Sequence, residues 1–61
     1  MKKNYLCEIK RGKSQGEQFF AQADTYEEAV KIAREVDKSV YVYKRKWFRD
    51  DEAEMMGLDT Y

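Results

Sequence analysis

The chain has 61 residues, with 12 Lys and Arg against 12 Asp and Glu, so its formal net charge is zero; 43% of it is hydrophobic and 15% aromatic. That length supports one small core, because below roughly 70–80 residues a single core seldom supplies more than about 3–5 kcal/mol, and the aromatic share argues for a folded domain. With no His and one Cys, the chain excludes an internal disulfide framework, a Cys/His zinc site, His-based acid–base chemistry and a Ser-His-Asp triad.

The first predicted element is a strand over residues 4–11, Asn-Tyr-Leu-Cys-Glu-Ile-Lys-Arg. Its alternation puts Tyr5, Cys7 and Ile9 on one face and Leu6, Glu8 and Lys10 on the other. Asn4, Glu8 and Lys10 also break any apolar signal segment behind the basic start Met1-Lys2-Lys3. No apolar run approaches the ~20 residues of a membrane helix. Cys7 reads as a reduced structural thiol, and an intracellular, cytoplasmic location is expected. Gly12-Lys13-Ser14-Gln15-Gly16 is polar and carries two glycines, which predicts a hairpin loop. Its glycine spacing is wrong for a phosphate-binding P-loop, and a strand rather than a helix follows it.

Residues 17–23 read as the return strand. Phe19, Ala21 and Ala23 are placed inward, where small alanines let a helix sit close; Phe20 and Gln22 are placed outward. Thr25-Tyr26-Glu27-Glu28 then has the spacing of a capping box. The Thr25 hydroxyl is expected to accept from the Glu28 N–H, and the Glu28 carboxylate to reach back to the Thr25 N–H. The helix is predicted to run to Val36 or Asp37. Its apolar stripe is Ala29, Ile32, Ala33 and Val36 at i, i+3, i+4 and i+7. Capping accounts for the paired acids Glu27 and Glu28 better than acid–base chemistry does.

Residues 39–47, Ser-Val-Tyr-Val-Tyr-Lys-Arg-Lys-Trp, have the highest strand propensity in the chain. Val40 and Val42 point one way; Tyr41, Tyr43, Arg45 and Trp47 point the other. From Asp50 onward the chain is an acidic tail, with helical turns expected over 52–56 and Gly57 as their stop. The expected architecture is α+β: a ββαβ domain over 1–49 followed by the tail over 50–61. A right-handed crossover through the helix sets the third strand parallel to the second, with the first strand between them in the order 2-1-3. The helix covers one sheet face.

Charge is segregated along the chain. Residues 1–13 sum to +4, 14–37 to −4, 38–49 to +5 and 50–61 to −5. The candidate partner-binding residues are Tyr41, Tyr43, Arg45 and Trp47 on the uncovered sheet face, with Lys10 and Phe20 beside them, and Glu27 and Glu35 on the acidic helix. Tyr, Trp and Arg are the types that dominate binding energy at interfaces, and aromatic platforms also stack single-stranded nucleic acid. Two other uses of that face stay open. The tail folds back on it through Met55, Met56, Leu58 and Tyr61, with Asp50, Asp51 and Glu52 near Lys44, Arg45 and Lys46, or a second copy of the chain covers the face or the edge strand. No catalytic, metal or cofactor site is expected. Asp50-Asp51-Glu52 lacks the spacing of a cation-binding loop, and Cys7 has no His to activate it.

The stretch from Phe20 to Ala33, Phe-Ala-Gln-Ala-Asp-Thr-Tyr-Glu-Glu-Ala-Val-Lys-Ile-Ala, resembles a pattern of small phage and mobile-element proteins. In that pattern a strand ends in Ala, and a Ser/Thr cap, two acids and an Ala-led helix follow. Small anti-CRISPR inhibitors are similar in size and element order across residues 4–43. The resemblance implies a stoichiometric inhibitor of a host nuclease complex that does no chemistry. The leading expectation is therefore a non-catalytic inhibitor of a host nucleic-acid-processing complex, acting by protein–protein contact. A single-stranded nucleic-acid-binding domain and a homodimeric structural protein are the alternatives, and no membrane is involved.

Overall fold

A computed structural model describes residues 2–61; Met1, the first residue of the expected domain, lies outside it. The elements are β1 (Lys3–Ile9), β2 (Gln18–Ala23), α1 (Tyr26–Val36), β3 (Val40–Phe48) and α2 (Asp50–Met56). The sheet order is β2-β1-β3, and β1 is antiparallel to both neighbours. The expected α+β class, strand order and covering helix are therefore those of the structure.

β1 and β2 keep strict alternation. Tyr5, Cys7, Ile9, Phe19, Ala21 and Ala23 bury one face of the sheet, and α1 closes it with Ala29 and Ala33. Residues opposite one another across a ladder share a face, so the pairs Tyr5–Ala21 and Cys7–Phe19 stack directly in this layer. Tyr26 meets Tyr5 edge to face, with ring centroids 5.9 Å apart. The hairpin turn needs a left-handed residue at each end, which Gly12 (φ 88°) and Gly16 (φ 90°) supply without the steric penalty of a Cβ.

The helix starts as expected but its cap is only half of the box. Thr25 Oγ1 accepts from the Glu28 N–H at 3.2 Å. Glu28 Oε1 takes the Thr25 hydroxyl at 3.3 Å instead of the Thr25 backbone N–H. The stripe is wider than expected and shorter at its end: Ala29, Ile32 and Ala33 pack toward the sheet as expected, Tyr26 and Val30 join them, and Val36 is 39% exposed. Val36 is the last residue of α1.

The second face is not open. α2 and the residues after it lie across it. Leu6, Phe20 and Ala53 form a second buried cluster, with Tyr43, Phe48 and Leu58 packed around it. Asn4, 1% exposed, fastens the start of α2: its Nδ2 donates to Phe48 O (3.1 Å) and Asp50 Oδ1 (2.9 Å), and Gln22 Nε2 donates to both Asn4 Oδ1 and Asp50 Oδ1. α2 begins two residues earlier than the sequence suggests, because Glu52 Oε1 accepts from the Arg49 N–H at 3.1 Å and so satisfies an orphan donor. Gly57, at φ 70°, ends it. The chain then runs parallel to the outer edge of β2: Phe20 N–H donates to Asp59 O, Tyr61 N–H to Phe20 O, and Gln22 N–H to Tyr61 O, each at 2.8 Å.

Candidate functional site

Phe20 is 0% exposed, with its ring edge-on to Phe48 at 5.7 Å. It is core, and its expected place on an open binding face is corrected. The covering use of the tail is the one adopted, through Ala53 and Leu58. Met55 (89% exposed) and Met56 point away, and Tyr61 wraps the β2 edge to meet Phe19 at 5.3 Å. Asp50 is held by Asn4 and Gln22 rather than by the cations of residues 44–46.

β3 departs further from expectation. Ile9, Glu8 and Cys7 pair with Val40, Tyr41 and Val42, but Tyr5 pairs with Trp47 and Asn4 with Phe48. Two steps along β1 thus answer to five along β3. The three extra residues form a wide irregularity at 43–46, and an odd insertion reverses the face of everything beyond it. Trp47 therefore shares the α1 side with Tyr5, while Tyr41 and Tyr43 stand on the other. The single aromatic row of Tyr41, Tyr43, Arg45 and Trp47 does not exist. Phe48, assigned no role by sequence reasoning, takes the position on the second face instead.

The bulged segment is a ridge with cation–aromatic contacts on both flanks. On the α1 side Lys3 Nζ lies 4.7 Å from the Trp47 ring centroid, and Lys44 Nζ 5.7 Å from that of Tyr26. On the other side Lys46 Nζ lies 4.9 Å from Tyr43, and Lys10 Nζ lies 5.9 Å from Tyr41 and 5.8 Å from Tyr43. Such contacts contribute about 0.5–1 kcal/mol each at exposed sites. They hold the rings and the charge in place together. Lys44, Arg45 and Lys46 are all exposed.

Glu8 organises the Tyr41–Tyr43 side, a role that sequence reasoning missed. Its Oε1 accepts from Tyr43 Oη at 3.1 Å and Gln18 Nε2 at 3.4 Å, and its Oε2 from Lys10 Nζ at 3.3 Å. Lys10 above all, then Tyr43 and Gln18, holds the Glu8 carboxyl below its ordinary range; Glu8 first and Tyr43 second raise Lys10. The Tyr41 ring stands edge-on to Tyr43, centroids 4.9 Å apart. The usable signal was the outward place of Glu8 on β1. With Ile9 under Val40, Glu8 must face Tyr41.

Of the eight expected site residues, Lys10, Tyr41 and Tyr43 come together. Arg45 lies in the bulge, Trp47 on the opposite flank, Phe20 in the core. Glu27 and Glu35 are exposed on α1, away from the Tyr41–Tyr43 group. Cys7 is fully buried; burial pushes its thiol up to about 11, opposed by a hydrogen bond with the Ala21 backbone. A thiol held protonated is a poor nucleophile. No protein-family model, curated protein or solved structure matches the chain. Among the described residues no helix is long and apolar enough to cross a membrane.

Proposed function

We propose that the chain is a non-catalytic binding protein that engages an acidic surface of a protein partner along the β3 ridge. The observation that carries this is the contrast in cover. α1 lies on one face of the sheet and α2 with Leu58 on the other, yet the ridge keeps Tyr41 52% and Trp47 38% exposed among Lys44, Arg45 and Lys46. Aromatic rings braced by cations supply contact area at small entropic cost, and a fixed positive field steers an acidic partner. A standard interface takes about 800 Å² from each partner, which the ridge and its flanks can supply from a total surface of 4606 Å².

In the form implied by the likeness to anti-CRISPR inhibitors, the partner belongs to a host nucleic-acid-processing complex in the cytoplasm. Exposed Glu27, Glu28 and Glu35 then present a second, acidic surface. Self-association through β3 is disfavoured because two copies would oppose Lys44, Arg45 and Lys46 to one another. Direct stacking of a single strand is weakened by the Trp47 reversal and by the Glu8 carboxylate at the centre of the tyrosine face.

The test is affinity capture from host extract, before and after nuclease treatment, with the native chain and with Arg45→Glu/Lys46→Glu. A protein retained by the first and lost by the second supports the reading. Capture that disappears on nuclease treatment points to nucleic acid, and equal capture by both chains moves the working surface off β3.

A further inference from the structure

At the end of β1, beside the turn that precedes β3, is a concavity of about 320 Å³ lined by Lys10, Arg11, Lys38, Ser39, Val40 and Tyr41. The fold creates it by zipping two distant turns together: Ile9 pairs with Val40, and Lys10 N–H donates to Ser39 O at 2.8 Å. Three cations line it and no carboxylate does. Lys10 is partly answered by Glu8. Arg11 and Lys38 are exposed and have no ion pair among the described residues. The nearby acid Asp37 is engaged, its Oδ1 accepting from the Ser39 N–H at 2.7 Å.

Like charges gathered in a concavity repel until an anion enters it. Guanidinium and ammonium groups together suit phosphate: the first offers a planar two-pronged donor, the second a compact charge. The wall adds a second recognition element. The Tyr41 ring is half exposed, and its edge-on contact with Tyr43, itself tied to Glu8, sets its orientation. A volume near the lower bound of ligand sites suits a mononucleotide-sized molecule.

We propose that this concavity binds a phosphate monoester bearing a planar ring, of the nucleoside monophosphate class, with Arg11 and Lys38 on the phosphate and Tyr41 against the ring. The site lies at one end of the ridge and shares Tyr41 with it, but it does not rest on the protein-binding reading, and its test uses no protein partner. A ¹⁵N-labelled sample titrated with AMP, inorganic phosphate or adenosine at millimolar concentration and physiological salt tests it. AMP is expected to give saturable shifts at residues 10–12 and 38–41, phosphate weaker shifts at the same amides, and adenosine almost none. Arg11→Gln/Lys38→Gln should weaken AMP binding about tenfold or more, the loss expected of charge-assisted hydrogen bonds. Tyr41→Leu should bring AMP down to the level of phosphate, with circular dichroism as the check that both variants remain folded. The proposal is overturned if AMP gives no saturable shift, if residues 44–46 respond as strongly as 38–41, or if the double variant binds AMP like the native chain.

Discussion

The two edges of the sheet solve one problem in opposite ways. An edge strand exposes a row of unpaired N–H and C=O groups that invites another chain. On the β2 edge the central groups are taken: residues 59–61 run alongside and engage Phe20 and Gln22 through three 2.8 Å hydrogen bonds. On the β3 edge only one such partner occurs among the described residues, the Tyr26 hydroxyl donating to Val42 O at 3.0 Å. Beyond it the strand bulges and carries three consecutive cations. One edge is satisfied; the other is kept irregular and charged. The comparison teaches where a partner can reach: an edge is closed wherever its groups are already bonded, but a charged edge is closed only to like charge.

Four substitutions or deletions break or sharpen that contrast. The largest effect belongs to the satisfied side. Phe20→Ala empties the centre of the cluster that α2 and Leu58 cover, and should cost about 3–5 kcal/mol. That is a large share of the total for so small a domain. A urea midpoint close to the native value would mean that the second core is dispensable.

Deleting residues 58–61 comes next. It removes Leu58 and three backbone hydrogen bonds, a loss of about 2–3 kcal/mol, and uncovers β2. The remaining chain should associate in a concentration-dependent way on a sizing column; a monomer of native stability would show that the segment protects nothing. Tyr26→Phe is smaller. It leaves the ring against Tyr5 but takes the donor from Val42 O, at about 1 kcal/mol, and faster hydrogen exchange in β3 is the finer readout.

The smallest effect on stability is expected from Lys44→Ser/Arg45→Ser/Lys46→Ser. These side chains are solvated, and the fold should hold within about 0.5 kcal/mol. Association is where the triple change should register: with its charge gone, β3 is predicted to begin pairing with a second copy. If it stays monomeric at high concentration, the bulge alone protects the edge and the charges are free for another purpose.

Much of this was legible in the residues. Tyr5, Cys7, Ile9, Phe19, Ala21 and Ala23 alternate so cleanly that the α1 layer could be read off directly, and Thr25 marked the helix start. The turn of β3 could not be read in the same way. Tyr41 to Trp47 alternates without a fault in aromatic and Arg positions, and nothing in period two reports that three residues bulge out. The one available hint was chemical: three adjacent cations at 44–46 cannot all suit a regular strand packed on β1. Phe20 was misplaced because its cover is sparse. α2 is mostly acidic and buries only Ala53, so it carries no apolar stripe to announce that it lies on a sheet. The candidate site suffered from the same two gaps; Tyr41 survived because it precedes the bulge, Tyr43 because it opens the bulge still on the outward face, and Lys10 because it belongs to the regular β1 side.

The central place of β1 also sets an order of events as the chain folds. Its partnership with β2 closes through a short glycine-bounded turn, a step of microseconds. Its partnership with β3 joins residues as far apart as Asn4 and Phe48, 44 positions along the chain. That closure has to wait for α1 to form and swing the third strand round. In the interval one side of β1 lies open along Asn4, Leu6 and Glu8, flanked by Tyr5 and Cys7, a stretch nearly free of charge. The most aggregation-prone edge this protein ever shows is therefore a transient one, visible in the nascent chain and hidden in the finished fold.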